Sequence, residues 1–183
     1  MKIAILLPFK EDYTSKYSGA VSIHVSNLFK YSKFKKNIKI YGNTKYKNYL
    51  TKNFENIKID ENFLSSSNKK YLKKFISYQK KKPADIIEIH NRPNYIDTIK
   101  ENINSKIILY FHNNPLTISG SKLLSERLNL LNKCEYIFFN SKWTKRQFFK
   151  DIDESIYKNK FGICYQSTKK SKVNINDKKN IIT

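Results

Sequence analysis

The sequence of 183 residues is poor in glycine, proline, cysteine and acidic residues. Four glycines and four prolines are too few for a collagen-like or linker-rich chain. Two cysteines, Cys134 and Cys164, do not make a disulfide framework, and two free thiols in a reducing cytoplasm fit best. The apolar run at residues 3–9 is far shorter than the roughly 20 residues that cross a membrane. Because no small-residue cleavage site follows it, this run predicts a strand and not a signal peptide.

The hydrophobic content is sufficient for a folded domain. Hydrophobic residues make up 39% of the chain and aromatic residues 14%, which excludes disorder over its whole length. The length suits one domain with a real core and is too short for two of full size.

The charge is strongly positive, with 36 lysines and arginines against 15 acidic residues and a net charge of +21. Such a field attracts polyanions such as nucleic acid, anionic lipid or acidic substrates. Only Arg92, Arg127 and Arg146 are arginines, and the abundant Lys, Asn, Ile, Tyr and Phe all have AT-rich codons. Much of the positive charge can therefore be explained by an AT-rich genome, whose codons favour lysine. No nucleic-acid-binding motif is recognisable, and we expect no specific nucleic acid partner.

One lysine-rich segment, residues 68–82, has an amphipathic helical pattern. Its apolar positions are Tyr71, Leu72, Phe75 and Ile76, and seven lysines surround them. The favoured interpretation is a surface helix whose apolar stripe packs on a sheet while its lysines face water. The second hypothesis is a helix that lies on an anionic membrane surface.

Strands and helices alternate along the chain. We predict strands at residues 3–8, 38–42, 57–59, 84–90, 106–112, 136–140 and 161–165. Helices are predicted from residue 20, at 68–82, 93–103, 121–134 and 142–150. The strands are apolar runs without polar alternation, which is typical of a parallel sheet covered on both faces. The sequence thus predicts an α/β fold, a Rossmann-like three-layer domain with a mostly parallel doubly wound sheet.

Three local patterns refine the helices. Val21, Val25, Leu28 and Phe29 lie on one side of the first helix, and Leu124, Leu128 and Leu131 are in phase in the fourth. Ser141 is placed as the N-cap of the last helix.

The domain is predicted to span residues 1–168. Residues 169–179 are polar and lysine-rich like a linker, and residues 180–183 resemble the start of another strand. We expect residues 169–183 to lead into a missing C-terminal domain, and the alternative is an ordinary frayed tail.

Polar residues collect where the predicted strands end. Ligands of open α/β sheets bind beyond the carboxyl ends of the strands. His90, Asn91 and Arg92 follow the fourth strand, and His112 and Asn113 follow the fifth. Amides and an arginine suit a hydroxyl-rich or phosphate-bearing ligand. The alternative for each His-Asn pair is loop capping by hydrogen bonds to the backbone. The third histidine, His24, lies within the first helix and is interpreted as structural or as a surface residue.

Several chemistries lack their motifs. No acidic pair follows these strands, so a two-carboxylate glycosidase site is not expected. The sequence has no Gly-x-Gly-x-x-Gly motif, which argues against dinucleotide binding, and no Walker-type motif, which argues against nucleotide hydrolysis. It also has no Gly-x-Ser-x-Gly motif, so the nucleophile elbow of an α/β-hydrolase is not expected. The histidines have no nearby cluster of Cys, Asp or Glu, and no metal is expected.

Three segments resemble one known family. Residues 85–93 (DIIEIHNRP), 108–115 (ILYFHNNP) and 136–143 (YIFFNSKW) are similar to successive strand ends in family 4 retaining glycosyltransferases of GT-B fold. The opening strand and Gly19 at the start of the first helix also fit. The resemblance covers only the N-terminal half of these enzymes.

The resemblance implies transfer of a sugar from a nucleotide-sugar to a glycan or glycolipid acceptor with retained configuration. In this family an N-terminal Rossmann-like domain holds the acceptor and a C-terminal one holds the nucleotide-sugar donor. Many members work in bacterial lipopolysaccharide or polysaccharide synthesis, in the cytoplasm or peripherally at the inner face of the plasma membrane. The resemblance therefore implies a fragment that is inactive alone and that needs no cofactor or metal itself.

The same resemblance suggests roles for individual residues. His112 is implied as the catalytic residue, and His90, Asn91 and Arg92 as the acceptor side of the cleft. Gly19 is expected to let the backbone approach the donor phosphates, although Ser18-Gly19-Ala20 holds one glycine where the family often has two adjacent glycines. Asn113 and Ser141 complete the candidate substrate-binding residues.

Two other functions remain open from the residues. One is a non-catalytic basic Rossmann-like module that binds anionic membrane or nucleic acid. The other is a different α/β enzyme that uses the same strand-end edge.

Overall fold

The computed structural model describes residues 1–59 and 66–166. The predicted domain boundary at residue 168 and the predicted linker at residues 169–183 lie outside these described residues. The described strands are β1 (Ile3–Leu6), β2 (Ile38–Gly42), β3 (Phe54–Asn56), β4 (Ile86–His90), β5 (Lys106–Phe111), β6 (Tyr136–Phe139) and β7 (Phe161–Ile163). The described α-helices are α1 (Ala20–Tyr31), α2 (Ser67–Lys81), α3 (Ile96–Asn102), α4 (Leu124–Lys133) and α5 (Lys142–Phe148).

The seven strands form one sheet in the order β3-β2-β1-β4-β5-β6-β7. Every neighbouring pair is parallel, which confirms the predicted Rossmann-like α/β fold with a doubly wound sheet. The strand β1 pairs with β2 on one side and β4 on the other. The winding direction reverses between β1 and β4, and this is the position where open α/β sheets leave a crevice for ligands.

Two hydrophobic cores lie on the two faces of the sheet. The larger core joins β1, β4, β5 and β6 to helices α2 to α5 through residues such as Leu6, Ile89 and Leu109. The smaller core packs Val21 and Val25 of α1 against β1, β2 and β3. On the α1 side, the side chains of β4 to β6 are less covered: Ile86, Glu88, Ile108, Tyr136 and Phe138 are half-buried.

In helix α2 the apolar stripe of the lysine-rich segment packs on the sheet, as the favoured interpretation predicts. Its predicted stripe of Tyr71, Leu72, Phe75 and Ile76 is buried in the larger core. Gln79 continues the buried side, where its Oε1 accepts a hydrogen bond from the backbone N–H of Ala84 at 3.1 Å. Most of the surrounding lysines are exposed. The apolar stripe thus packs against the sheet, and the outward face of α2 consists mainly of lysines.

The predicted positions were wrong in three places. The third strand lies at Phe54–Asn56, because Phe54 fills the smaller core, and the predicted Ile57 follows it as a buried residue of the larger core. In α4 the buried side begins one turn later than predicted: Leu124 is exposed, while Leu131 is buried. Leu28 of α1 is exposed.

Two further predictions about composition can be compared with the described residues. Cys134 is buried and Cys164 half-buried, and both are free thiols. Burial raises the pKa of the Cys134 thiol to about 12, so it is inert at neutral pH. Within residues 1–59 and 66–166, none of the helices has the length and apolar content that crossing a membrane requires.

Candidate functional site

The fold brings four predicted residues around one cavity. Strands β4 and β5 are neighbours and both end at the same edge, so the loops after them lie side by side. Beside the N-terminus of α1 they enclose a cavity of about 300 Å³. It is lined by Pro8, Glu11, Ala20, Val21, Asn91, Arg92, His112, Asn113 and Gln166. The cavity lies at the crevice that the strand order predicts.

His112 is held from several directions. Its backbone N–H donates to Oδ1 of Asn91 at 2.8 Å, and its carbonyl accepts from Nδ2 of Asn140 at 2.7 Å. The ring nitrogen Nε2 lies 2.8 Å from Nδ1 of His90, and Nδ1 lies 2.7 Å from Nε2 of Gln166. The ring is therefore fixed in position and in rotation, as a group that orients a ligand must be.

His90 lies beneath the cavity and not in its lining. It is fully buried and contacts His112 through Nδ1 and the carboxylate of Glu88 through Nε2, at 2.8 Å each. The structure thus places His90 behind His112, one hydrogen bond away from the cavity.

Glu88 and His24 were not predicted as parts of the site. Glu88 precedes His90 by two residues in β4, so the two side chains lie on the same face of the strand. This spacing could have revealed Glu88. His24 is buried, and its ring centroid lies 5.2 Å from that of His112. Its interpretation as structural or surface did not anticipate this cluster, because the contact forms only when α1 packs on the sheet.

Tyr110 organises the histidines. It lies two residues before His112, and its ring stacks on His112 at 4.4 Å and on His90 at 5.4 Å between centroids. Its hydroxyl donates to the carbonyl oxygen of Cys164. Burial raises the pKa of Tyr110, so it stays a neutral donor. Although each ring stacks on Tyr110, the two histidine rings are tilted by 31° to one another.

Burial keeps two of the histidines neutral. It lowers the pKa of His112 to about 2, with smaller contributions from His90 and His24. It lowers the pKa of His24 to about 4, with a further lowering by His90 that Glu88 partly opposes. A neutral imidazole both accepts and donates a hydrogen bond, whereas an imidazolium only donates. At neutral pH His112 can therefore accept a hydrogen bond from a ligand hydroxyl.

Asn91 and Arg92 combine structural and binding capacity. Asn91 has a φ of 51°, a left-handed conformation that asparagine tolerates better than most residues. From there its N–H donates to the carbonyl of Tyr110 at 2.9 Å, while its side chain binds His112. The Nη1 of Arg92 donates to the carbonyl of Asn91 at 2.9 Å. Arg92 is half-buried beside the cavity, where its guanidinium can pair with an anion.

Gly19 precedes α1, and its surroundings already contain an anion. The carboxylate of Glu11 accepts a hydrogen bond from the N–H of Ser22 at 3.0 Å. A Cβ at Gly19 would lie 2.5 Å from Oε1 of Glu11, so glycine is what allows this approach. The N-terminus of a helix attracts negative charge, and here the charge is Glu11. The predicted contact of Gly19 with donor phosphates would have to compete with this carboxylate.

The remaining two predicted residues lie further out. Asn113 lines the cavity and is exposed. Ser141 does not line it: its Oγ accepts from the N–H of Thr144 at 3.1 Å. This confirms Ser141 as the N-cap of α5.

No metal site is present among the described residues. Within them, no group of three His, Cys, Asp or Glu side chains is placed to hold a metal ion. The facing nitrogens of His90 and His112 are hydrogen-bonded to each other, so neither presents a free lone pair to a shared ion. The site consists of histidines, amides, one arginine and the carboxylates of Glu88 and Glu11.

Comparison with known proteins finds similarity only in structure. No family model matches the sequence, and no curated protein matches it. HepE of Anabaena, solved in complex with UDP and glucose, aligns with a TM-score of 0.58 at 14% identity, over 92% of this chain and 45% of HepE. The same protein in complex with UDP-glucose aligns with a TM-score of 0.58 at 11% identity, over 92% and 44%.

A second solved protein has the same fold over a similar share. Sucrose-phosphate synthase of Thermosynechococcus elongatus aligns with a TM-score of 0.62 at 9% identity, over 90% of this chain and 48% of that one. The chain thus spans slightly less than half the length of these structures. At these identities the comparison establishes that the chain shares the fold of slightly less than half of each of these proteins.

Proposed function

We propose that this chain is the N-terminal, acceptor-side half of a retaining glycosyltransferase of GT-B fold. The complete protein would transfer a sugar from a nucleotide-sugar to a glycan or glycolipid acceptor. The proposed setting is lipopolysaccharide or polysaccharide synthesis in the cytoplasm or at the inner face of the membrane. The fold shared with HepE, which was solved with UDP-glucose, and the span of about half its length support this proposal.

The observation that carries the proposal is His112 in the wall of the cavity. It is neutral, rigidly held and adjacent to Asn91, Arg92 and Asn113. These groups can bind several hydroxyls and one negative charge, which is the chemistry of a sugar beside a phosphate. The donor nucleotide would be held by a second domain, and no metal or other cofactor is proposed for this half.

The test uses the longest reading frame that contains this chain. Transfer from UDP-glucose is measured as UDP release in the wild type, in His112→Ala and in Ser125→Ala as a control on the exposed side of α4. We expect His112→Ala to lower kcat/KM by at least about 100-fold, as loss of a positioned catalytic group does. Ser125→Ala should match the wild type. Turnover of His112→Ala close to the wild type would remove His112 from the site.

A second candidate function, binding to an anionic surface, is favoured by a larger cavity. This cavity, of about 690 Å³, opens at the amino ends of the strands, on the edge opposite His112. Its lining includes six lysines: Lys2, Lys36, Lys39, Lys52, Lys81 and Lys82. Only one acidic side chain, Glu55, is among the residues that line it. The predicted anionic membrane partner would bind here and along the exposed lysines of α2.

Vesicle sedimentation tests this second function. Binding to vesicles with 30% phosphatidylserine, a composition of about physiological anionic charge, is compared with binding to neutral vesicles and to single-stranded DNA. A variant with glutamine in place of Lys36, Lys39, Lys81 and Lys82 should lose most of its vesicle binding, and salt should weaken binding of the wild type. Equal binding of variant and wild type would contradict this function. Stronger retention by DNA than by vesicles would favour a nucleic acid partner.

A further inference from the structure

Four side chains form a continuous row of hydrogen bonds from the sheet to the cavity. Oε1 of Glu88 lies 2.8 Å from Nε2 of His90, and Nδ1 of His90 lies 2.8 Å from Nε2 of His112. Nδ1 of His112 lies 2.7 Å from the amide nitrogen of Gln166. Each neutral imidazole in such a row carries one proton and one lone pair. The direction of one hydrogen bond therefore determines the direction of the next.

The carboxylate end of the row determines one direction. An ionised carboxylate only accepts hydrogen bonds, so Nε2 of His90 must be protonated and donate to Glu88. Nδ1 of His90 is then unprotonated, and its lone pair accepts a hydrogen bond from the Nε2–H of His112. Nδ1 of His112 is also unprotonated, and its lone pair faces Gln166. With Glu88 ionised and both rings neutral, the position of the proton on each ring follows from these contacts.

The amide end gives the same answer. An amide nitrogen only donates, so Nδ1 of His112 accepts from Gln166, and the remaining bonds again run toward Glu88. Glu88 and Gln166, at the two ends of the row, differ in how firmly they fix the direction of the hydrogen bonds. Gln166 is exposed and can rotate its amide to offer oxygen instead, whereas an ionised carboxylate cannot become a donor. Glu88 is therefore the group that determines the direction of the row.

We infer that Glu88 is a positioning residue which, through His90, holds His112 in the tautomer with its proton on Nε2 and a lone pair on Nδ1. In this tautomer His112 accepts a hydrogen bond from a ligand hydroxyl that replaces the Gln166 amide at the cavity. The assignment of that hydroxyl to a sugar rests on the proposed function. The tautomer itself does not, because it follows from the contacts within this chain.

The surroundings of the row hold both rings in place and keep His112 neutral. The ring of Tyr110 stacks on both histidines, and His24 of α1 lies edge-on to His112. Arg92 lines the same cavity as His112. Burial opposes a positive charge on His112, in agreement with its lowered pKa. The carboxylate of Glu88 is the acidic side chain bonded to the pair.

Nitrogen NMR of histidine-labelled protein tests the inference directly. The chain has only three histidines, so the spectrum contains three ring systems that single substitutions can assign. At pH 7 we expect both His90 and His112 to carry the proton on Nε2. A proton on Nδ1 of His112 in the wild type would overturn the inference. This measurement needs neither ligand nor a second domain.

Three variants separate Glu88 from Gln166. Glu88→Gln is isosteric and able to donate, so the His112 tautomer with a proton on Nδ1 should become comparable in population to the other. Gln166→Leu keeps Glu88 and should leave both tautomers unchanged. Gln166→Glu places acceptors at both ends, so the row must bind one further proton and His90 should become an imidazolium. A wild-type tautomer that persists in Glu88→Gln would refute the positioning role.

Failure of the inference about Glu88 can be distinguished from failure of the proposed function. If the tautomers behave as expected while His112→Ala leaves transfer in the complete protein unaffected, the row stands and the glycosyltransferase proposal fails. If His112→Ala abolishes transfer while Glu88→Gln leaves the tautomer of His112 unchanged, the glycosyltransferase proposal stands and the positioning role of Glu88 fails. In the complete protein, Glu88→Gln should lower kcat/KM in proportion to the lost fraction of the competent tautomer, about two-fold.

Discussion

Glu11 offers the sharpest test of how the first helix is stabilised and how an anion would bind beside it. Its carboxylate accepts from the N–H of Ser22 and lies against Gly19 at the N-terminus of α1. Gly19 itself provides no side-chain cap. The carboxylate therefore acts as the cap of α1, although it lies eight residues before Gly19 in the sequence. Replacing it should destabilise the fold and at the same time leave the position open to another anion.

Two magnitudes follow from this geometry. A carboxylate at a helix N-terminus contributes about 0.3–1 kcal/mol, and up to about 2 kcal/mol when partly buried. Glu11 is half-buried, so Glu11→Gln should lower the free energy of unfolding by about 1 kcal/mol, or roughly 2–4 °C in Tm for a chain of this size. Two like charges about 5 Å apart at an effective dielectric of about 40 repel by about 1.7 kcal/mol. Removing that repulsion should raise the affinity for inorganic phosphate by about 20-fold.

Urea denaturation measures the first effect, and an NMR titration with inorganic phosphate measures the second. Glu101→Gln is the matched control, because it removes the same charge from an exposed position near the end of α3. Higher salt should reduce the difference between Glu11→Gln and wild type, since it screens the interaction of the charge with the helix. If Glu11→Gln and Glu101→Gln agree in both measurements, the reasoning about the cap is refuted.

Three further predictions concern stability. Burial lowers the pKa of His24 to about 4 and of His112 to about 2, so keeping both neutral costs no stability above about pH 6.5. As the pH falls below about 6.5, the unfolded chain binds these protons first, and the free energy of unfolding decreases by up to about 2.7 kcal/mol per pH unit. Urea midpoints at pH 7, 6 and 5 measure this, and unchanged midpoints would contradict it. Ser141→Ala removes the cap of α5 and should lower the free energy of unfolding by about 1 kcal/mol in urea, whereas Ser141→Asp should restore it. Tyr71→Phe removes the buried bond to the carbonyl of Leu7, 2.9 Å long, and should lower the same free energy by about 1–2 kcal/mol, with exposed Tyr31→Phe as the neutral control.

The fold was largely predictable because its signal is local. Apolar runs such as residues 84–90 and 106–112 indicate strands buried on both faces, and their alternation with helical patterns leaves few topologies. The strand β3 was misplaced because a three-residue edge strand carries almost no periodicity. The phase of α4 failed at Leu124 because this residue begins the helix, whose first turn is mostly exposed, and burial starts at Arg127. Short elements are positioned by what they pack against and not by their own pattern.

The candidate site was predictable only in part. Strand ends located Asn91, Arg92, His112 and Asn113 at one edge, and the cavity brings these four together. The place of His90 beneath His112 could not be derived, because it depends on the pleat and register of β4 against β5. The approach of His24 from a helix could not be derived either, since no sequence spacing relates it to the strands.

The amino-acid sequence by itself determined the order of strands and helices, the parallel sheet and the edge at which polar residues gather. These follow from burial patterns over short distances along the chain, where each residue's neighbours in sequence carry the information. Only the tertiary structure decided that Glu88, His90 and His112 form one row, and that Glu11 caps the helix beside Gly19. Hydrogen bonds act over about 3 Å and are directional. Such contacts exist only once packing has brought distant segments into register.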